Sequence, residues 1–319
     1  MSKARLLVAA LFATLYTSSI FALPVSVTSL LDLPETPDQY TQTNFPATFN
    51  PALADLDNTP ASPSASNDLA TLGRVLFYEK NLSANLTVAC ASCHIQALGF
   101  SDSDRFSRGF SGGRTSRNSM GLANSRFYEN EHFFWDERAN TLSEQILIPI
   151  QNSVEMGLSL DEAVYRVSSR AYSDYLFTQA FGSVTVTSYR IASALAQFVR
   201  AMVSYQTPYD TGLASSGDVR TNFSNFNASQ NAGKALFFSR RAQCADCHVN
   251  ERQGNQVILQ GDEARNNGLD PNLVNDDNGV GDISGNLNDN GKFKALSLRN
   301  ISLTAPYMHD GRFSSLSQV

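Results

Sequence analysis

The sequence is poor in charged residues, in cysteine and in long apolar runs, and each scarcity narrows what the protein can do. Only 17% of its 319 residues are charged and the formal net charge is −6. This balance disfavours nucleic acid as a partner, because phosphate binding requires an excess of lysine and arginine. Beyond residue 22 no apolar run is long enough to span a bilayer. The length and the 42% hydrophobic content are sufficient for two modest domains, each with its own core.

Cysteine is used in one way only, because all four cysteines lie in two copies of the motif Cys-x-x-Cys-His. This motif attaches a c-type haem. Its two thiols form thioether bonds with the porphyrin vinyl groups, and the adjacent imidazole ligates the iron. The residues assigned in this way are Cys90, Cys93 and His94 in the first copy and Cys244, Cys247 and His248 in the second.

Two other sites would use the same cysteines: a redox-active Cys-x-x-Cys pair and a four-thiolate zinc site. Neither requires a histidine directly after the second cysteine, and here a histidine follows in both copies. The sequence therefore predicts two covalently bound haem c groups.

The N-terminus has the pattern of a secretory signal peptide over residues 1–22. Lys3 and Arg5 precede an apolar stretch from Leu6 to Phe21, and Ala22 is the expected last residue removed. A retained membrane anchor is the alternative, but the stretch is short for a span. Export to the periplasm agrees with the haem motifs, because thioether attachment takes place outside the cytoplasm.

The remaining chain divides into three predicted parts. Residues 23–66 contain seven prolines and many polar residues, which predicts an extended arm without its own core. Residues 67–206 form a first haem domain and residues 207–319 a second, which looks truncated at its last helix. The two domains are expected to be related, because Gly73–Phe77 resembles Gly233–Phe237 ahead of the second motif.

Apolar periodicity predicts an all-α protein whose first domain is enlarged by extra helices. The expected helices cover 67–80, 141–148, one segment from Ser159 through Leu176, and 188–205. Residues 101–117 are predicted to form a mobile surface loop, 207–229 a polar linker, and 249–292 a solvated loop.

Several blocks of the sequence resemble, in the same order, the bacterial di-haem cytochrome c peroxidases and their MauG relatives. The resemblance runs from about residue 35 to the end. The blocks are Leu72–Phe77, Cys90–His94, Gly99–Phe100, Phe134–Ala139, Val154–Gly157, Leu298–Asn300 and Ala305–Gly311. The resemblance implies two cytochrome c-like domains. It also implies an N-terminal haem that reacts with hydrogen peroxide and a C-terminal haem that relays electrons to it.

The resemblance assigns roles to three residues around the first haem. Trp135 would link the two haems for electron transfer, although a lone tryptophan is otherwise a core aromatic. Glu155 would act as general acid and base in peroxide cleavage, although its position before a helix also fits a simple dipole contact. Pro149 would line the same distal pocket.

Between the two domains the resemblance implies a calcium site formed by Asn118, Thr304 and Pro306, since oxygen donors suit a hard cation. His309 would lie near the second haem without ligating its iron, and Met308 would likewise not be a ligand. The sixth ligand of that iron would lie past Val319.

The expected reaction is reduction of hydrogen peroxide to water, with a small periplasmic cytochrome c or cupredoxin as electron donor and a homodimer as a possible assembly. A MauG-like oxidase acting on the side chains of a partner protein is the first alternative. A di-haem electron carrier without enzymatic activity is the second.

The loop of residues 101–117 contains no histidine, whereas many family peroxidases carry one there that blocks the peroxidatic iron. His132 lies elsewhere and is expected to be a surface or packing residue. We therefore predict that the N-terminal iron is five-coordinate as isolated, with His94 its only protein ligand. Electron paramagnetic resonance of the fully ferric protein is expected to contain a high-spin signal. A wholly low-spin spectrum, with two strong-field ligands on each haem, would contradict this prediction.

Overall fold

The computed structural model describes residues 24–41, 45, 56–128, 132–249, 261, 263–270 and 277–319. The predicted signal peptide therefore lies outside the described residues. Within these ranges no helix is long and apolar enough to cross a membrane.

The described chain is helical, and its only β-type pairings are isolated bridges. The predicted all-α class is thus confirmed. In chain order the helices are α1 (Val25–Thr28), α2 (Asn67–Phe77), α3 (Cys90–Cys93), α4 (Leu142–Gln151), α5 (Leu160–Ser168), α6 (Ser173–Phe181), α7 (Ser188–Arg200), α8 (Pro208–Ser216), α9 (Ala228–Phe237), α10 (Ala245–His248) and α11 (Val280–Ser284). Single 3₁₀ turns occupy Lys80–Leu82, Gln96–Leu98, Ser125–Phe127 and Leu287–Asp289.

Helix α7 is the centre of the larger core, because α2, α4 and α5 all pack against it. Nearly all of α7 from Ile191 to Arg200 is buried. Its closest neighbour is α2, and the two backbones approach at Gly73. A Cβ atom at that position would lie 1.9 Å from the carbonyl oxygen of Ala194. The absence of a side chain at Gly73 is therefore what allows the two helices to pack at this distance.

The helix predicted from Ser159 through Leu176 is two helices, α5 and α6, so that expectation was wrong. The Ser159 hydroxyl caps α5 as expected, accepting the Glu162 N–H at 3.2 Å. Ser168 and Ser169 both donate their hydroxyls to the Tyr165 carbonyl, at 2.9 and 2.8 Å. Such local side-chain bonds compete with helix continuation, and the chain turns before α6.

Three further helix ends differ from the expected ones. Helix α2 ends at Phe77 instead of Lys80. Helix α4 continues through Pro149 to Gln151 instead of ending at residue 148, so the proline lies within the helix. Helix α7 stops at Arg200 instead of Tyr205, where the backbone leaves the helical path toward Asn124.

The arm contributes to the core of the first domain instead of forming its own. Val27 is fully buried in that core, and Leu31, Leu33 and Tyr40 pack against it. Farther along, the Asp57 carboxylate binds Arg126 at 2.6 Å. The side chain of Asn58 donates to the carbonyl of Tyr128 at 2.7 Å.

The segment predicted as a polar linker contains helix α8, and its role in linking the domains stays a prediction. Thr207 and Asp210 form a reciprocal capping box, and Pro208 occupies the first helical position. Asp210 is 2% exposed and binds Arg299, which is 5% exposed, at 2.6 Å. A smaller core lies beside this pair and is formed by Leu56, Phe127, Leu213, Val219 and Phe223.

The 101–117 loop is packed against the 154–155 segment, in contrast to the mobile surface loop that was expected. A Cβ atom at Gly109 would lie 1.6 Å from the carbonyl oxygen of Val154. The Phe110 N–H donates to the Glu155 carbonyl at 3.0 Å. Asp102 is buried and accepts the Ser107 hydroxyl at 2.6 Å. These contacts satisfy the polar groups that made the segment look solvated.

The close approach of α2 and α7 gives a matched pair of substitutions. We expect Gly73→Ala to destabilise the protein by about 1–3 kcal/mol, because the new methyl group would meet backbone. Gly233 occupies the corresponding place in α9, where a Cβ atom would meet no atom of another element within 4 Å. Gly233→Ala should therefore stabilise by about 0.5–1 kcal/mol through helix propensity. Urea denaturation measures both changes, and equal effects of the two substitutions would contradict the packing argument.

Candidate functional site

The first haem motif opens onto a cavity of about 430 Å³. The cavity brings together five of the residues predicted from the sequence, which lie far apart along the chain. These are Cys93, His94, Trp135, Pro149 and Glu155. Helix α4 supplies Pro149, and the turn that follows it supplies Glu155.

His94 is held so that one ring nitrogen remains available for a metal. Its Nδ1 lies 2.9 Å from the Phe100 carbonyl, which accepts a hydrogen bond from the N–H at that position. Gly99, in the left-handed region at φ 64°, makes the tight turn that brings this carbonyl back to the ring. The Ser119 hydroxyl donates to the Cys93 carbonyl at 2.8 Å, next to the same ring. With Nδ1 protonated, Nε2 carries the lone pair.

The two thiols do not have the properties of a redox pair. Burial raises the pKa of Cys90 to about 12 and that of Cys93 to about 11. Redox-active thiols require a lowered pKa, so that the thiolate is present at neutral pH. The surroundings of this motif therefore agree better with thioether formation than with a redox-active pair.

Glu155 is a half-buried carboxyl group at the edge of the cavity. The Asn152 side chain accepts its backbone N–H at 3.2 Å and that of Val154 at 2.8 Å, which fixes the turn. Burial raises the pKa of Glu155, and the positive charge of Arg138 opposes that increase. Among the described residues no cation pairs with the Glu155 carboxylate. A carboxyl group in this state exchanges a proton more readily near neutral pH than an ordinary glutamate.

Arg138 and Tyr128 also line this cavity and had no assigned role in the sequence analysis. The Arg138 guanidinium lies over the Phe134 ring at 3.6 Å and binds Asp136 at 2.8 Å. Tyr128 is buried, and burial raises its pKa. Arg138 lies in the same sequence block as Trp135, and that proximity was the available signal. For Tyr128 the sequence offers no comparable signal.

The second haem motif opens onto another cavity, of about 380 Å³. Cys244, Cys247 and His248 all line it. The Nδ1 of His248 lies 3.1 Å from the Leu296 carbonyl, so this ring is held in the same manner as His94. Burial lowers the pKa of both histidines, which keeps the imidazoles neutral and able to ligate a metal.

Trp135 lines both cavities, as does the segment 118–121. Its indole Nε1–H donates to the Asn118 carbonyl at 2.9 Å, and its own carbonyl accepts the Lys294 N–H at 2.8 Å. The only tryptophan of the chain therefore stands in the wall between the two candidate haem sites.

The two histidines outside the motifs occupy different surroundings. His309 lines the second cavity, stacked on Phe293 at 3.6 Å and edge-on to Trp135 at 6.5 Å. Met308 lines the same cavity. His132 lies 3.1 Å from the Glu137 carboxylate, with a quarter of its side chain exposed. The expectation that His309 and Met308 do not ligate the iron of the second haem stays a prediction.

The residues predicted for calcium, Asn118, Thr304 and Pro306, all line the second cavity. The Asn118 side chain is buried, and its amide group donates weakly to the carbonyls of Asp104 and Arg105, at 3.4 and 3.3 Å. Its amide oxygen has no hydrogen-bond donor among the described residues. The structure thus brings the three residues together, and their role as calcium ligands stays a prediction.

Both cavities fit a covalent haem. Each has an oriented imidazole and thiol from its motif on the wall, and each has room beside the imidazole. The described part of the chain contains no cluster of three or more histidine, cysteine, aspartate or glutamate side chains that could hold another metal.

Comparison with known proteins identifies the class. A family model described as di-haem cytochrome c peroxidase matches residues 67–218. The MauG protein for methylamine utilization from Methylophilus methylotrophus is 32% identical over 265 residues, which cover 82% of this chain and 73% of the relative. Cytochrome c551 peroxidase from Nitrosomonas europaea is 33% identical over 254 residues, covering 79% and 71%. The chain therefore belongs to the di-haem cytochrome c peroxidase and MauG family, and it is an oxidoreductase of the cytochrome-c peroxidase type.

Solved structures agree with this fold. A MauG-like protein associated with microbial copper homeostasis superimposes with a TM-score of 0.68 at 31% identity, covering 81% of this chain and 77% of that one. The diheme peroxidase BthA from Burkholderia thailandensis gives a TM-score of 0.62 at 22% identity, covering 78% and 70%, and supports the fold alone.

The ion pairs of Arg117 beside Trp135 lead to a prediction about the free energy of unfolding. Arg117 binds Asp136 on one side and Asp277 on the other, at 2.5 and 2.7 Å. Burial alone would raise the pKa of Asp277, but the hydrogen bond and charge of Arg117 and the hydrogen bond from the Gly279 N–H together outweigh it and lower that pKa. We expect Asp277→Asn to cost about 1–3 kcal/mol at neutral pH, because a charged hydrogen bond is lost.

A lowered carboxyl pKa stabilises the fold above its unfolded-state value, and this stability is lost as the pH falls through the folded-state pKa. The difference between wild type and Asp277→Asn should therefore shrink in acid. Urea denaturation at neutral and acidic pH measures it. Glu263→Gln, which breaks an exposed pair with Arg265, is the control and should cost about 0.5 kcal/mol or less. A pH-independent difference would contradict the assignment.

Proposed function

We propose that the protein is a peroxidase that reduces hydrogen peroxide to two molecules of water, with two electrons and two protons. The observation that carries this proposal is the position of Glu155. Its half-buried, unpaired carboxyl group lies on the same cavity as Cys93 and His94, and burial raises its pKa. A haem bound at these residues would supply the iron centre at which peroxide binds and is reduced.

In this proposal Glu155 moves the protons. It removes a proton from the peroxide oxygen nearer the iron and delivers it to the departing oxygen, which leaves as water. Burial prepares the carboxyl group for both steps, since its raised pKa brings the protonated and ionised forms closer in energy at neutral pH. Pro149 contributes an apolar wall without a backbone donor that would compete for the peroxide.

Trp135 would serve the transfer of electrons between the sites. Its place in the wall shared by the two cavities supports this role. The second site, with Cys244, Cys247 and His248, would receive electrons from a small cytochrome c or cupredoxin, and the protein would work in the periplasm after export. Calcium at Asn118, Thr304 and Pro306 would hold this wall in place.

A MauG-like oxidase is the second candidate. Two observations favour it: the 101–117 loop lacks a histidine, and a MauG-like protein is 31% identical to this chain over 81% of its length. Such an enzyme would use the same first cavity to oxidise side chains of a partner protein. Turnover of peroxide with a small reduced cytochrome c as the only electron source favours the peroxidase, and its absence favours the oxidase.

Glu155→Gln tests the proposal directly. The amide keeps the shape of the side chain but cannot move protons, so peroxide consumption should fall about 10²–10⁴-fold. Glu162→Gln is the control, because this glutamate pairs with Arg166 on α5 away from the cavity and should retain full activity. Unchanged peroxide turnover in Glu155→Gln would remove Glu155 from the mechanism.

The pH dependence gives an independent readout of the same assignment. The ionised form of Glu155 is needed first, so kcat/KM should fall as the pH drops through the raised pKa. This acid limb should lie above the range of an ordinary glutamate and should vanish from the residual activity of Glu155→Gln. A di-haem electron carrier without enzymatic activity would consume little peroxide at any pH.

A further inference from the structure

A third cavity, of about 350 Å³, lies apart from both haem motifs. It is bordered by the arm at residues 57–63, by the start of α4 and by one side of α7 from Tyr189 to Arg200. None of the residues assigned to peroxide chemistry lines it. Its polar wall is formed by Asp57, Asn58, Thr59, Thr141, Ser143, Ser193, Gln197 and Arg200.

Arg200 is the main charged group in this wall. Its side chain belongs to a residue that is only 5% exposed. Its Nε donates to the Asn58 amide oxygen at 2.8 Å, and the two terminal nitrogens have no partner among the described residues. Burial lowers the pKa of Arg200 to about 10, while the charge of Asp57 opposes that shift. The guanidinium is still protonated at neutral pH, so a positive charge is buried here without its own carboxylate.

Asp57 does not neutralise this charge, because Arg126 already binds it. The Nε and Nη2 of Arg126 lie 2.9 and 2.6 Å from the same Asp57 oxygen. Asp57 and Arg200 line the cavity and Arg126 lies outside its lining, so the three groups together carry a net positive charge beside the cavity. Burial of an uncompensated charge is costly, which favours an anion that restores the balance.

Other polar groups in the wall also have no partner. Gln197 is 5% exposed, and its amide makes no hydrogen bond to the described residues. The Thr59 hydroxyl is buried and has no hydrogen-bond partner among them either. An amide and a hydroxyl can each donate a hydrogen bond to an oxygen atom placed beside the guanidinium.

The start of α4 adds a further attraction for negative charge. Thr141 caps this ten-residue helix, and both Thr141 and Ser143 line the cavity. The partial positive charge of a helix N-terminus therefore acts in the same direction as Arg200.

We propose that this cavity is a binding site for a small oxyanion, a carboxylate or a phosphate. The planar fork of Arg200 matches the paired oxygens of either group. Gln197 and Thr59 would donate to the remaining oxygens. Helix α4 connects this site to the first cavity, because its other end carries Pro149 and Gln151 precedes the turn to Glu155.

The test is an anion titration of the full chain with its haems, at constant ionic strength maintained with chloride. Inorganic phosphate and acetate are titrated separately, and the melting temperature and the heat of binding are followed. A saturable rise in melting temperature with either anion supports the site, and the stronger response identifies its chemical class. The proposal is overturned if neither phosphate nor acetate gives a saturable response.

Substitutions locate the binding. Gln197→Leu removes the unpaired amide without breaking a hydrogen bond within the described protein, so it should fold and weaken binding about tenfold. Arg200→Lys should weaken it further, because the fork is lost. Arg190→Gln is the control, an arginine on the same helix that does not line the cavity. If Gln197→Leu and Arg190→Gln bind the anion equally well, the site is not this cavity. Because Gln197→Leu decides the question alone, a failure of Arg200→Lys to fold leaves the test intact.

Discussion

The rest of the site depends on two contacts, here called the clip, that join residues 117–118 to residues 135–136. The Trp135 indole donates to the Asn118 carbonyl, and the neighbouring Arg117 binds Asp136. Each half of the clip is then bonded to the C-terminal part. The Asn118 N–H donates to the His309 carbonyl at 2.7 Å, and Arg117 reaches Asp277. Because both cavities share this wall, the clip sets their separation and holds the tryptophan between them.

The two cavities hold their histidines in the same way and their acids in different ways. Asp270 on the second cavity is bound by both terminal nitrogens of Arg312, at 2.8 and 2.6 Å. Glu155 on the first has no such partner among the described residues. Both oxygens of a carboxylate held by a bidentate guanidinium are already engaged, whereas a half-buried, unpaired carboxyl group can take up and release a proton. The assignment of proton transfer to the first cavity follows from this difference.

The features predicted from the sequence were those that a short stretch of residues determines by itself. Both haem motifs and the helix before each one are recognisable without a partner in space. Helix α8 was also readable in principle, since Thr207, Pro208 and Asp210 form a common helix start. The polar composition around it outweighed that signal. Residues 101–117 were a different case, because only the contact of Gly109 with the Val154 carbonyl reveals that this polar segment is packed.

A single sequence does not show whether a charged side chain is buried without a partner of opposite charge. Arg200 ends an amphipathic helix, where a cation is ordinarily a favourable partner of the helix dipole. The sequence pattern of α7 does not distinguish Arg200 from Arg190, which lies near the start of the same helix. The Arg190 guanidinium donates to the Thr185 carbonyl in the loop before α7. The arm makes the difference, because residues 57–63 run along α7 and bring Asp57 to Arg126, which leaves Arg200 without its own carboxylate. A segment without a core of its own thus places a net positive charge beside a cavity, and it does so at the opposite end of the helix that carries Pro149.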